Sequence, residues 1–121
     1  MSDARRGTGR LGEALAAEAL VRRGWQIVAT NWRCAVGEID LIARDGEWLV
    51  LVEVRARHGH RFGTPEESVD RHKRERLATL GELYVQETGW SGPWRIDVVA
   101  VELDRSGAPV RVTHYPDAVG R

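Results

Sequence analysis

Cysteine and lysine are almost missing from this 121-residue sequence: Cys34 and Lys73 are the only ones. A lone thiol cannot close an internal disulfide or form a thiolate metal cluster by itself, and a reducing cytoplasm is the plain expectation. Long apolar runs are missing as well; none approaches the ~20 residues that a membrane helix requires. The opening Met1-Ser2-Asp3-Ala4-Arg5-Arg6 has no apolar signal core, so secretion is not expected. Net charge is the third absence. The 18 Lys and Arg are balanced by 18 Asp and Glu, and no overall positive field marks the chain as a nucleic-acid protein. What is present, 42% hydrophobic and 30% charged residues, suits one folded α/β or α+β domain over residues 1–121 and argues against disorder.

The charge is unevenly spread. Residues 1–33 hold six Arg against three acids. Residues 34–54 hold five acids, Glu38, Asp40, Asp45, Glu47 and Glu53, against Arg44 alone, and residues 55–76 hold seven basic groups against four acids. An acidic centre between two basic stretches fits a metal site beside a phosphate-binding surface. Composition alone favours the plainer reading, ordinary scatter of solvated charge.

Gly7, Gly9 and Gly12 break up a polar start, and residues 1–8 read as a flexible arm. From about Gly9 to Arg23 the Ala- and Leu-rich chain reads as a helix stopped by Gly24, apolar nearly all round and therefore largely covered. Glu13 shares a face with Ala16, Ala17 and Leu20, near the positive end of the helix. Strands follow at Trp25 to Ala29 and Gly37 to Ala43. Asp45-Gly46 has the chemistry of a two-residue hairpin turn, and Trp48 to Ala56 is apolar enough for a central strand covered on both faces. Residues 58–63 read as a loop. Thr64-Pro65-Glu66-Glu67 and Asp70 compete as helix starts, the main helix being expected from about Arg71 to Glu87 and ended by Gly89 and Ser91-Gly92-Pro93. Arg95 to Val101 is another apolar strand, Pro109 to Tyr115 a peripheral one, and residues 116–121 a flexible tail. Three consecutive strands suggest an antiparallel meander, and the later helix is long enough for a right-handed crossover to a fourth.

Strand alternation groups the side chains. Asp40 falls on one face with Glu38 and Ile42, while Glu53 and Arg55 share a face with Leu49 and Leu51. A carboxylate at the end of an apolar strand is costly to bury unless paired or bound to a cation. If the hairpin pairs these two strands, Asp40 and Glu53 come close enough to hold one hard cation, magnesium or manganese. An ion pair of Arg55 with Glu53 or Asp40 at the sheet edge is the competing expectation.

Asp40, twelve residues, then Glu53-Val54-Arg55 resembles the PD-(D/E)XK nuclease signature, in which Lys more usually stands where Arg55 is. Six pieces follow one another from about residue 9 to 101: Gly9-x-x-Gly12-Glu13-x-x-Ala16, Asn31-Trp32-Arg33, Gly37-Glu38-Ile39-Asp40-Leu41-Ile42, Val52-Glu53-Val54-Arg55, Lys73 with Leu77, and Arg95-Ile96-Asp97-Val98-Val99. As an ordered set they are similar to the YraN-like family of small bacterial proteins, predicted endonucleases distantly similar to archaeal Holliday-junction resolvases. The resemblance implies an α/β restriction-endonuclease-like core, helix–three strands–helix–strand, with a mixed central sheet flanked by helices and an extra C-terminal edge strand. It also implies an acidic site of Glu13, Asp40 and Glu53, the Val54 carbonyl as a further ligand to Mg2+ or Mn2+, and hydrolysis of phosphodiester bonds in structured or branched DNA. A nucleic-acid-binding protein of the same fold with weak or no turnover is the rival reading, and a partner-binding protein the third. A homodimer enters only by analogy with branched-substrate resolvases.

Arg55 can neutralise phosphate charge but does not give up its proton, so it cannot serve as a general base. Lys73 is the candidate substitute. It is the sole lysine beside 17 arginines and lies on the helical face of Val69, Leu77, Leu80 and Tyr84, the face expected to be buried. Arg71, His72, Lys73 and Arg74 crowd a first helical turn, where cations oppose the macrodipole. Site carboxylates or a phosphate would remove that conflict, and a lysine that snorkels to water is the plain alternative. Arg10, Arg33, Arg57, Arg71 and Arg74 are candidate nucleic-acid contacts. Trp32 is either a base-stacking platform or, as Trp more often is, part of the packing. His58 and His60 have no evident third ligand for zinc. Asp97 with Arg95 reads as a structural ion pair, and Cys34 as a small buried or loop residue.

Overall fold

Turn residues and apolar periods resolve into seven elements. The computed structural model describes residues 2–58 and 71–119, running α1 (Ser2–Arg22), β1 (Gln26–Arg33), β2 (Glu38–Asp45), β3 (Trp48–His58), α2 (Arg71–Thr88), β4 (Trp94–Leu103) and β5 (Pro109–Tyr115). The five strands form one sheet in the order β1-β2-β3-β4-β5. All neighbours are antiparallel except β3 and β4, which are parallel and joined through α2. A parallel neighbour requires such a crossover, because the chain must return to the same end of the sheet. This is the expected α/β core, helix–three strands–helix–strand, with β5 as the added edge.

Several boundaries differ from the sequence reading. The first helix begins at Ser2 rather than Gly9, so residues 2–8 continue α1 instead of forming an arm; glycine weakens a helix by about 1 kcal/mol but, unlike proline, does not remove a hydrogen bond. α1 is covered on one side only: Ala16 and Leu20 are buried, whereas Leu11 and Val21 are exposed. The hairpin turn is Gly46–Glu47, one residue later than expected, with Gly46 at φ 58° and Asp45 paired to Trp48. Residues 116–119 are no free tail, since Val119 is wholly buried beside α2 and β4 side chains. His60, the Thr64 cap and Asp70 lie outside the described residues.

Each sheet face carries one core. On the α1 side Ala16 and Leu20 pack with Leu41, Val50, Val52, Val99 and Val101. On the α2 side Leu77, Leu80 and Tyr84 pack with Ile42, Leu49, Leu51, Ile96 and Val98. Gly12 sets how closely α1 approaches β3: a Cβ there would stand 2.7 Å from the Cβ of Ala56. Gly12→Ala is therefore expected to push the helix off the strand and cost about 1–3 kcal/mol, even though alanine favours the helix itself. Adding Ala56→Gly should recover most of the loss in thermal melts. A double variant no more stable than the single one would remove this contact as the limit on approach.

Candidate functional site

Pairing of β2 with β3 runs from Asp45↔Trp48 to Leu41↔Val52 and stops there. β2 continues beside β1 as far as Arg33↔Glu38, so the two central strands part at Asp40 and Glu53. In place of a ladder bond, the Val54 N–H donates to Asp40 Oδ2 at 2.8 Å. Ile39 packs with Ile42 on the α2 side, so strict two-residue alternation does not hold at this end of β2.

Asp40 is a carboxyl group in surroundings that disfavour charge. Burial first, then the charge of Glu53, a hydrogen bond shared with Glu53 and the charge of Glu13 raise its pKa from 3.8 to about 8, with the Val54 N–H opposing them. Burial and the neighbouring carboxylates thus favour its protonated form. Glu53 is buried, 6% exposed, and two cations converge on one of its oxygens: Lys73 Nζ at 2.6 Å and Arg55 Nη1 at 3.6 Å from Oε2. Burying a carboxylate is tolerable when it is paired in this way. Leu77, Leu80 and Tyr84 anchor α2 on the sheet, which brings Lys73, one turn earlier, over Glu53.

On the other side of Asp40 stand Glu13 from α1 and Glu38 from the start of β2. One carboxylate oxygen from each of Glu13, Glu38 and Asp40 lies within 4.8 Å of the others. Asn31 Nδ2 donates to Glu13 Oε1 and to Glu38 Oε1, both at 2.9 Å, and Arg33 Nε donates to Glu38 Oε2 at 2.9 Å. An oxygen-only donor set at this spacing fits a hard divalent cation. Between β2, β3 and α2 the cleft has a volume of about 350 Å³. Glu38, Asp40 and Glu53 line its acidic wall, Lys73 and Arg76 its helical wall, and Arg55 and Val54 also border it.

Glu13, Asp40, Glu53, Arg55, Val54 and Lys73 thus lie in one region, but Glu53 stands with Lys73, outside the three-carboxylate corner that contains Glu13 and Asp40. The other basic candidates are not gathered there. Arg10, Arg33, Arg57, Arg71 and Arg74 do not line the cleft; Arg33 pairs with Glu38, and Arg71 with Glu75 at 3.3 Å. Trp32 is half-buried, its ring packing edge-on against Tyr84 at 5.4 Å, beside the α2-side core. Asp97 is wholly buried in a structural network, accepting from Arg95 Nε at 2.9 Å, the Asp117 N–H at 2.8 Å and His114 Nε2 at 2.6 Å. Burial alone would raise its pKa, but these bonds and the Arg95 charge outweigh it and hold Asp97 below its ordinary 3.8. Cys34 is half-buried, its N–H donating to the Gly37 carbonyl, and His58 Nδ1 lies 2.9 Å from the Asp104 carbonyl oxygen.

Three residues of the site escaped the sequence reading. Glu38 had a signal, since alternation placed it with Asp40. Arg76 had a weaker one, three positions beyond Lys73 on the same helix. Asn31 had only its place in Asn31-Trp32-Arg33.

Fold and cleft together define a small α/β protein with a carboxylate site where the central strands of a mixed sheet part. Residues 12–101 match the family described as Uncharacterised protein family UPF0102, and the chain belongs to it. Its relatives include a UPF0102 protein of Renibacterium salmoninarum, 51% identical over 107 residues that cover 88% of this chain and 90% of that protein. A UPF0102 protein of Pelotomaculum thermopropionicum is 44% identical over 119 residues, covering 98% of this chain and 99% of the relative. One from Streptomyces coelicolor is 46% identical over 111 residues, 89% and 85% of the two chains. Among the described residues no helix is long and apolar enough to cross a membrane.

Proposed function

We propose that this protein is a metal-dependent endonuclease that hydrolyses phosphodiester bonds in structured or branched DNA. One observation carries the reading: Glu38 and Asp40, which with Glu13 form an oxygen-only corner, line the same cleft as the Lys73–Glu53 pair at 2.6 Å. The donor set suits Mg2+ or Mn2+. When bound, such a cation supplies Lewis acidity toward a phosphate oxygen and lowers the pKa of water. Asp40 must release its proton to act as a ligand, so binding strengthens as pH rises toward 8. Glu53 is the carboxylate placed to orient an attacking water, and Lys73 brings an ammonium to charge developing on phosphate. Arg55 adds positive charge without proton transfer. The preference for branched DNA rests on the similarity to resolvases, and a homodimer would match the two equivalent strands of a four-way substrate.

A cleavage assay with magnesium or manganese across linear, flap and four-way DNA tests the reading, with Asp40→Asn as control. Cutting by the wild type alone supports it. Salt-dependent binding without cutting makes the protein a nucleic-acid binder of the same fold, and neither activity leaves a partner-binding role. Arg76 is exposed on the helical wall and is expected to contact the phosphate backbone. Arg76→Glu should weaken DNA binding measured in calcium and flatten its salt dependence by about one phosphate contact. An unchanged slope would take Arg76 out of the interface.

A further inference from the structure

We propose that Asn31 is the positioning residue of the carboxylate corner, an uncharged clamp that holds Glu13 and Glu38 at the spacing a divalent cation requires. This rests on the metal-dependent reading given above. The two hydrogens of one side-chain amide go to two acids, Glu13 and Glu38, at 2.9 Å each. Those acids come from different elements, 18 residues before and 7 residues after Asn31. Without a tie, a helix-borne glutamate and a strand-borne one repel each other and sample several rotamers. A lysine or arginine could join them, but its charge would cancel the field that attracts a cation. A neutral amide joins them and adds no positive charge to that of Arg33, whose Nε already meets the other Glu38 oxygen at 2.9 Å. An oxygen that accepts one N–H bond keeps a second lone pair for a metal, and ligating carboxylates are ordinarily hydrogen-bonded in this manner.

The backbone is shaped for the same task. Asn31 has φ 51°, although it lies within β1. In the register of Thr30↔Leu41 and Trp32↔Ile39 it falls opposite Asp40, where β2 leaves β3. Few residues other than glycine adopt this conformation readily; asparagine is one of them, and it alone combines that tolerance with a neutral two-hydrogen donor.

Manganese titration by calorimetry on wild type, Asn31→Gly and Glu13→Gln tests the clamp, because glycine keeps the backbone conformation and removes only the amide. Asn31→Gly is expected to bind manganese roughly ten- to hundredfold more weakly, with an unchanged metal-free circular dichroism spectrum. Equal affinity of Asn31→Gly and wild type, with weaker binding by Glu13→Gln, overturns the clamp and leaves the metal site standing. No binding by folded wild type overturns both. Should Asn31→Gly not fold, the side-chain amide signals of Asn31 in the wild-type 1H–15N spectrum decide the matter. The clamp predicts slow exchange with water and a shift on adding magnesium that is lost in Glu13→Gln; rapid exchange and no shift overturn it.

Discussion

Asparagine in place of Asp40 is expected to abolish manganese binding and to lower cleavage on the order of 10³-fold, yet to make the metal-free protein more stable at pH 8. Burial first, and then the charge of Glu53, hold the Asp40 carboxyl at about 8 against an ordinary 3.8. Between those values the folded chain keeps a proton that the unfolded chain has released, so rising pH favours unfolding until the effect levels off above about pH 8. Asparagine imitates the protonated carboxyl. Its Oδ1 can accept the Val54 N–H that Asp40 Oδ2 accepts at 2.8 Å, and its Nδ2 can donate toward Glu53. Its advantage is nil below about pH 4 and grows from there to about pH 8. At about 1.4 kcal/mol per unit the full shift corresponds to several kcal/mol; water in the cleft reduces this, and a gain of about 2–3 kcal/mol, several degrees in Tm, is expected at pH 8. Saturating manganese should reverse the order by stabilising only the wild type. Coincident metal-free melts at pH 8 would show that Asp40 does not hold the proton.

Loss of the lone lysine has the second large effect. Lys73→Met is expected to lower cleavage by about 10²–10³-fold, while α2 keeps its buried anchors Leu77, Leu80 and Tyr84. It also leaves Glu53, only 6% exposed, with Arg55 at 3.6 Å as its remaining close cation in the Lys73–Glu53–Arg55 group. A stability loss of about 1–3 kcal/mol follows, and adding Glu53→Gln should restore stability without restoring activity. Lys73→Arg should fold well and cut poorly, because a planar fork replaces a compact ammonium. Since an ammonium already stands 2.6 Å from Glu53, Arg55→Lys should raise activity only modestly. Undiminished cleavage by Lys73→Met, or a large gain from Arg55→Lys, would return the role to position 55.

Much of this architecture is written locally. The nearly continuous apolar run from Trp48 onward, the glycine at the hairpin turn and the face of Leu77, Leu80 and Tyr84 are short-range patterns, and short-range patterns decide strands, turns and amphipathic helices. They also place Glu53, Arg55 and Lys73 on the faces where the fold puts them. The local signal is weakest where several elements meet. Gly7 and Gly9 suggested a helix start that α1 overruns, and residues 116–119 looked like a tail although Val119 completes the α2-side core.

The α/β element order, the family and the identity of most groups in the cleft are legible in the order of residues alone. Contacts between elements divide them: Glu53 with Lys73, Glu13 and Glu38 with Asn31, and Asp40 between them with its pKa raised. The reason is range. The Asp40 proton depends on burial and on Glu53 thirteen positions away, and the Asn31 bonds reach α1 and β2 at once. Desolvation and hydrogen bonds between elements exist only once the chain has closed on itself, so no window of neighbouring residues carries their signature.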